Sequence, residues 1–303
     1  MDESAAGRPI LLHGAALTPR QQEEFEALLR HVNELPPLPA VALRLIAMSE
    51  DARFSAQDLA ETVLVEQALT LKVLRLANSP AFGFPRRVTS IREAIVLLGF
   101  REVRYMALGA CVVEPSMQGA LERARLDHDV FWMNSVVVGH LAQVLALAGD
   151  LDQDMAFTAG LLHNIGRLAF AHHRPAQLAE CRAEAAASRR SIHDVQRTRY
   201  GYADCELGAT IADGWRLPQP LVASIQNHGR PLSTLPERTS LDATVARARR
   251  FARAHAISDG LDVVGTAPLP DLEWQSPGVQ RALRQIGGIG AAIERAKSYL
   301  TTA

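Results

Sequence analysis

Apolar residues recur at three- and four-residue intervals along most of this 303-residue chain, and no long stretch sustains the two-residue alternation of a strand. The spacing predicts an all-α protein. A first helix starts after Thr18-Pro19, a capping residue followed by proline at the first helical position. Leu35-Pro36-Pro37-Leu38-Pro39 reads as a rigid connection, and residues 40–48 resume helical spacing. Ser55 with Asp58 three residues later predicts the next helix start, continued by Leu59, Val63 and Leu64. A helix over 68–77 stops at Asn78-Ser79-Pro80, because proline disfavours helical geometry in the residue before it. Phe82-Gly83-Phe84-Pro85 predicts a compact loop braced by aromatic side chains, with helices over 90–98 and 101–112 after it.

Beyond these, a long helix is expected over 129–148, with Phe131, Val137, Leu141, Val144 and Leu145 available for packing. Further helices are predicted over 154–162, 175–188, 206–213, 219–227 and 241–255. Residues 259–279 carry glycine and proline and read as a linker. A last helix over 279–300 is interrupted by Gly287, Gly288 and Gly290. The expected organisation is a leader (1–19), an N-terminal helical lobe (20–113), a second helical lobe (114–258), and a linker with C-terminal helix (259–303). Leu283, Ile286, Ile289 and Ile293 fall on one face of that last helix. The stripe serves either to dock a partner or to pack on the chain's own body.

Composition narrows the classes. A formal net charge of −1 gives no global drive toward nucleic acid or an anionic membrane. Cys111, Cys181 and Cys205 are too scattered for a disulfide scaffold or compact zinc motif, and point to a reducing, cytoplasmic setting. No uninterrupted apolar run reaches membrane-spanning length, so no membrane insertion is expected. The glycines follow no strand and form no nucleotide loop; Gly160 and Gly166 are expected to permit close helix packing.

The chemistry concentrates in Gly160-Leu161-Leu162-His163-Asn164-Ile165-Gly166. A histidine followed by aspartate could place an imidazole and a carboxylate around a divalent metal. Asparagine keeps the shape and loses the charge. Together with the proline connection, Leu76-Ala77-Asn78-Ser79-Pro80 and Ile91-Arg92-Glu93-Ala94-Ile95-Val96-Leu97-Leu98-Gly99, this segment resembles the HDOD family. These HD-related output domains of bacterial signalling proteins are divergent relatives of the HD and HD-GYP phosphohydrolases. The resemblance covers residues 25–255 and implies a two-lobe helical fold with a degenerate HD-type lobe and a regulatory role.

Against the phosphohydrolase pattern, the resemblance places Asn134 at the first metal-binding histidine and His163-Asn164 at the His-Asp pair. Asp204 stands where a histidine is common, Asn227-His228 at a later histidine pair, and Arg249 at the terminal aspartate. The set is therefore short of anionic ligands, and Arg249 would repel a dication if it faced the same cavity. Neither metal nor cofactor is expected, and no catalytic residue is assigned. His163 is expected to be buried and hydrogen-bonded to Asn134 or Asn164, His228 to sit at a helix C-terminus, and Asp204 to cap a helix or pair with Arg249. Cys205 reads as a small buried hydrophobe, and Trp132 and Trp215 as packing anchors. Arg86, Arg87, Arg92, Arg101 and Arg104 form a candidate surface for phosphate or an acidic protein.

The resulting expectation is a non-catalytic signalling scaffold that docks a protein partner. The alternatives are a divergent metal-dependent phosphohydrolase acting on a nucleotide or cyclic dinucleotide, and a sensor that binds such a nucleotide without hydrolysis. Nucleic acid is not an expected partner.

Overall fold

A computed structural model describes residues 17–32, 38–49, 53–112, 118–235, 240–261 and 274–301. Most of the leader, residues 35–37 of the proline connection, the lobe boundary at 113 and residues 262–273 of the predicted linker lie outside the described residues. Every regular element described is a helix. The first part comprises α1 (Pro19–Val32), α2 (Ala40–Ala47), α3 (Ala56–Leu64), α4 (Gln67–Ala77), α5 (Ile91–Leu98) and α6 (Phe100–Val112). The second comprises α7 (Gln118–Arg123), α8 (His128–Ala148), α9 (Gln153–Leu162), α10 (Ile165–His173), α11 (Pro175–Ser188), α12 (Ile192–Tyr200), α13 (Asp204–Gly214), α14 (Gln219–Asn227) and α15 (Leu241–Ala254). Two tail helices follow, α16 (Pro277–Gln285) and α17 (Gly288–Thr301).

Helix starts follow local chemistry. Ser55 and Asp58 close a capping box at α3, Ser90 caps α5, and Asp152 accepts from two backbone amides at the start of α9. Gly99 ends α5 with φ +90, a conformation costly for any residue with a Cβ.

Helices α2–α6 pack on one another as a five-helix lobe. α1 does not join them. It lies against α10, with Phe25 edge-on to Tyr202 at 4.4 Å and Arg174 donating to the Glu24 carbonyl at 3.2 Å. The second lobe is built around α8, which contacts α9, α15, α16 and α17. By length and composition α8 alone among the described helices could cross a membrane. Residues 134–146 are nevertheless all buried inside the protein, which assigns it to the core. Glycines permit two close helix approaches in this lobe. A Cβ on Gly160 would lie 2.6 Å from the Gly139 Cα, and one on Gly166 would collide with the Asp204 carbonyl.

The lobes are joined through Asp154. Its carboxylate accepts from the Tyr105 hydroxyl at 2.7 Å and pairs with Arg101 at 2.9 Å and Arg104 at 3.1 Å. Arg104 is fully buried and also donates to the Leu45 carbonyl at 3.1 Å. It is a structural cation, not part of the expected surface, because an inward-facing α6 position needs its charge matched. Arg101 is likewise committed to Asp154.

The tail packs on the same body. Leu283 and Ile286 are buried and Ile289 and Ile293 partly buried against α8 and α6, so this stripe belongs to the core and is not free for a partner. The helix breaks at Gly287, φ +82, which turns α17 back on the protein.

Candidate functional site

At the junction of α10, α12, α13 and α15 lies a buried polar centre organised by Arg167, one turn beyond Asn164. Arg167 Nε donates to Asp204 Oδ2 at 3.0 Å, and one terminal nitrogen reaches both Asn164 Oδ1 at 3.0 Å and Asp259 Oδ2 at 3.2 Å. Asp259 Oδ2 also accepts from Arg249 at 2.9 Å, and Arg249 donates its other terminal nitrogen to the His228 carbonyl at 3.3 Å. On the far side, His193 Nε2 stands 3.0 Å from Asp204 Oδ1. Two guanidinium groups and two carboxylates thus alternate in a water-poor interior, with formal charges that cancel.

The expected residues do converge here, in different partnerships from those predicted. Asp204 pairs with Arg167 and His193 instead of Arg249, and it is the first residue of α13, with Ala203 as the cap. His163 hydrogen-bonds to neither asparagine. Its Nδ1 donates to the Gly160 carbonyl at 2.6 Å, as His228 Nδ1 does to Ile225 at 2.7 Å. Both imidazoles are the helix-terminal kind, folded back on the carbonyl three residues earlier. Asn134 donates to the Ile257 carbonyl at 3.1 Å and so anchors the segment that delivers Asp259. Arg249 does face the centre, through Asp259 and the His228 carbonyl.

Burial and charge agree on protonation. Burial, reinforced by Arg249, pushes His163 down to about 3, and burial also lowers His193 and holds His228 well below the usual imidazole range. Burial opposes ionisation of Asp204 and Asp259, but Arg167 with His193 in one case and with Arg249 in the other holds both carboxylates ionised and lowered. Cys205 is buried, with its thiol pushed well up by desolvation and neighbouring carboxylates, so it is inert.

Two features would suit a cation. The Nε2 atoms of His163 and His228 have no hydrogen-bond partner, their rings lie 5.0 Å apart, and donor atoms of His193, Asp204 and His228 fall within 4.8 Å of one another. Those donors are not available as a set. Both Asp204 oxygens are engaged, Arg167 lies 3.4 Å from His193 Nε2, and Arg249 adds a second positive charge. A divalent ion does not fit this arrangement, because a guanidinium already takes up the carboxylate it would need.

Sequence reasoning missed Arg167, His193 and Asp259. Arg167 had a legible signal, an arginine three residues after Asn164 inside the apolar run Ile165–Phe170. Asp259 had none, since Ser258-Asp259-Gly260 looks like any surface turn; in the structure Asp259 is fully buried.

The HDOD domain model matches residues 35–231. An uncharacterized protein of Treponema pallidum (strain Nichols) is 28% identical over 227 residues, 73% of this chain and 43% of that protein; the chain thus spans less than half the length of this relative. Among solved structures, an HDOD domain protein of unknown function from Geobacter sulfurreducens superposes with a TM-score of 0.69 at 22% identity, covering 93% of this chain and 98% of that one. A protein provisionally called a phosphohydrolase, from Shewanella amazonensis SB2B, gives 0.67 at 27% identity over 90% of this chain and 98% of its own. A protein provisionally called a signal transduction protein, from Marinobacter aquaeolei VT8, gives 0.66 at 19% over 93% and 64%.

Proposed function

The chain belongs to the HDOD family, and on that premise we propose that it is a non-catalytic regulatory scaffold of bacterial signalling that works by docking a protein partner. The observation that carries the reading is Arg167. A metal-dependent hydrolytic centre needs an accessible dication to activate water. This chain puts a guanidinium against Asp204 and Asp259 instead, with asparagine at positions 134 and 164. Such a centre holds α10, α12, α13 and α15 in one arrangement and leaves its histidines neutral.

A metal-dependent phosphohydrolase is the second reading, favoured by the convergence of His193, Asp204 and His228 and by the provisional name of the 27%-identical Shewanella protein. The two separate on the intact chain purified without chelator. The scaffold reading expects no stoichiometric zinc, iron or manganese and no hydrolysis of cyclic dinucleotides in the presence of added metal. Near-equivalent metal that is lost in His193→Ala and His228→Ala, with turnover, would replace it by the enzyme reading.

A further inference from the structure

The sequence motif Asn78-Ser79-Pro80 does more than stop α4. Asn78 Nδ2 donates to the Val88 carbonyl and its Oδ1 accepts from the Val88 amide, both at 2.8 Å, so one side chain pairs with the backbone as a strand would. This closes residues 79–87 into a loop of fixed span, turned at Gly83 with φ +59. The loop is braced from behind by Arg295 of α17, whose guanidinium lies 5.7 Å from the Phe82 ring. Between the loop and α4 it leaves a groove of about 980 Å³.

The groove joins an apolar wall to a basic rim. Its apolar wall is Leu71, Leu74, Phe84 and Pro85, and Leu71 is 58% exposed. Its rim carries Arg75, Arg86 and Arg87, and no carboxylate lines it, in a chain with net charge −1. Arg86 is shared with Glu93 at 3.2 Å, whereas Arg75 and Arg87 are exposed and form no ion pair among the described residues. The Ser79 hydroxyl, also in the lining, is shielded from water and has no hydrogen-bond partner. The other exposed large hydrophobics, Leu64, Val65, Val96 and Leu97, are on neighbouring α3 and α5 and in the residue after α3.

We propose that this groove is the docking site of the scaffold, and that its occupant is an acidic amphipathic segment of a partner protein: an apolar side chain against Leu71, Leu74 and Phe84, carboxylates on Arg75 and Arg87. The inference rests on the scaffold reading and adds the place and the partner's chemistry. Charge complementarity selects the occupant, because a preformed apolar floor rimmed by unpaired guanidinium groups matches alternating apolar and carboxylate positions. A second copy of the same face would oppose arginine to arginine. A nucleotide would leave the apolar wall only partly covered.

The test uses the intact chain and a fluorescent synthetic helix with leucine on one face and glutamate on the other, beside the same peptide with glutamine for glutamate. Anisotropy should show saturable binding of the glutamate peptide that weakens with salt. Binding should fall by about tenfold or more in Arg75→Glu/Arg87→Glu and in Leu71→Ser. These exposed substitutions should leave the circular dichroism unchanged, and Arg216→Glu, exposed after α13 in the second lobe, controls for general charge. Equal binding of the glutamine peptide, indifference to the groove substitutions, or displacement by a cyclic dinucleotide would overturn the assignment. Failure here would leave the scaffold reading intact, since that stands on metal content and turnover.

Discussion

Two groups of arginines in this protein differ in one respect, and their roles differ with it. Arg167 and Arg249 are buried and meet carboxylates from their own chain; Arg75 and Arg87 are exposed and meet none among the described residues. Where the chain supplies the counter-charge, the guanidinium locks elements together. Where it does not, the charge is left for another molecule to match. Arg104 repeats the first case between the lobes through Asp154.

The comparison breaks most directly at its buried end. Arg167→Met leaves Asp204 and Asp259 buried with one fewer cation each, and should cost about 3–5 kcal/mol in urea unfolding. A loss below about 1 kcal/mol would remove Arg167 from the role of organiser.

The tail offers the next test. Ile286→Ser should destabilise the protein by about 2–4 kcal/mol because Ile286 is 7% exposed against the body. Full thermal stability in that variant would return the stripe to the surface.

Acid should reach the buried centre before it reaches the groove. His163 is held neutral in the folded protein, with a pKa of about 3 against 6.5 unfolded. Below pH 6.5 the unfolded chain therefore binds protons that the folded one refuses, so stability falls as pH drops. For this residue alone the loss is about 2 kcal/mol between pH 6.5 and 5. The lowered carboxylates of Asp204 and Asp259 add a further loss only below their unfolded pKa near 3.8. Thermal melts across this range should show the slope, and His163→Phe should reduce it, with His193 and His228, lowered in the same sense, supplying the rest; an unchanged slope in a folded variant would contradict the neutral assignment.

The smallest effect belongs to the exposed group. Arg87→Ala should leave stability within about 0.5 kcal/mol, since the side chain is exposed and no described residue pairs with it. A larger loss in denaturant unfolding would mean that this arginine is structural after all.

Much of the fold was legible locally. The capping box at Ser55, the stop at Asn78-Ser79-Pro80, Gly99 after α5 and the gap near Gly287 each depend on backbone chemistry within a few residues, which sequence states directly. The resemblance also brought His163, Asn164, Asp204, His228 and Arg249 to one place, and the structure does bring them together. Their partners were not legible. Arg101 and Arg104 look alike in a row of arginines, yet a position one helical turn apart makes one half-exposed and the other fully buried.

Local sequence, then, determined most of the helix spans, where they stop, and that His228 sits at a helix C-terminus, because these depend on neighbours within about four residues. Tertiary structure alone decided that α1 leaves the lobe it precedes, that Asp259 is the core counter-ion of Arg167 and Arg249, and that Arg75 and Arg87 have none among the described residues. Those outcomes pair residues far apart along the chain, 150 positions for Arg174 with Glu24 and 92 for Arg167 with Asp259. Charge pairing acts through space, and only the packed helices set which carboxylate a given guanidinium can reach.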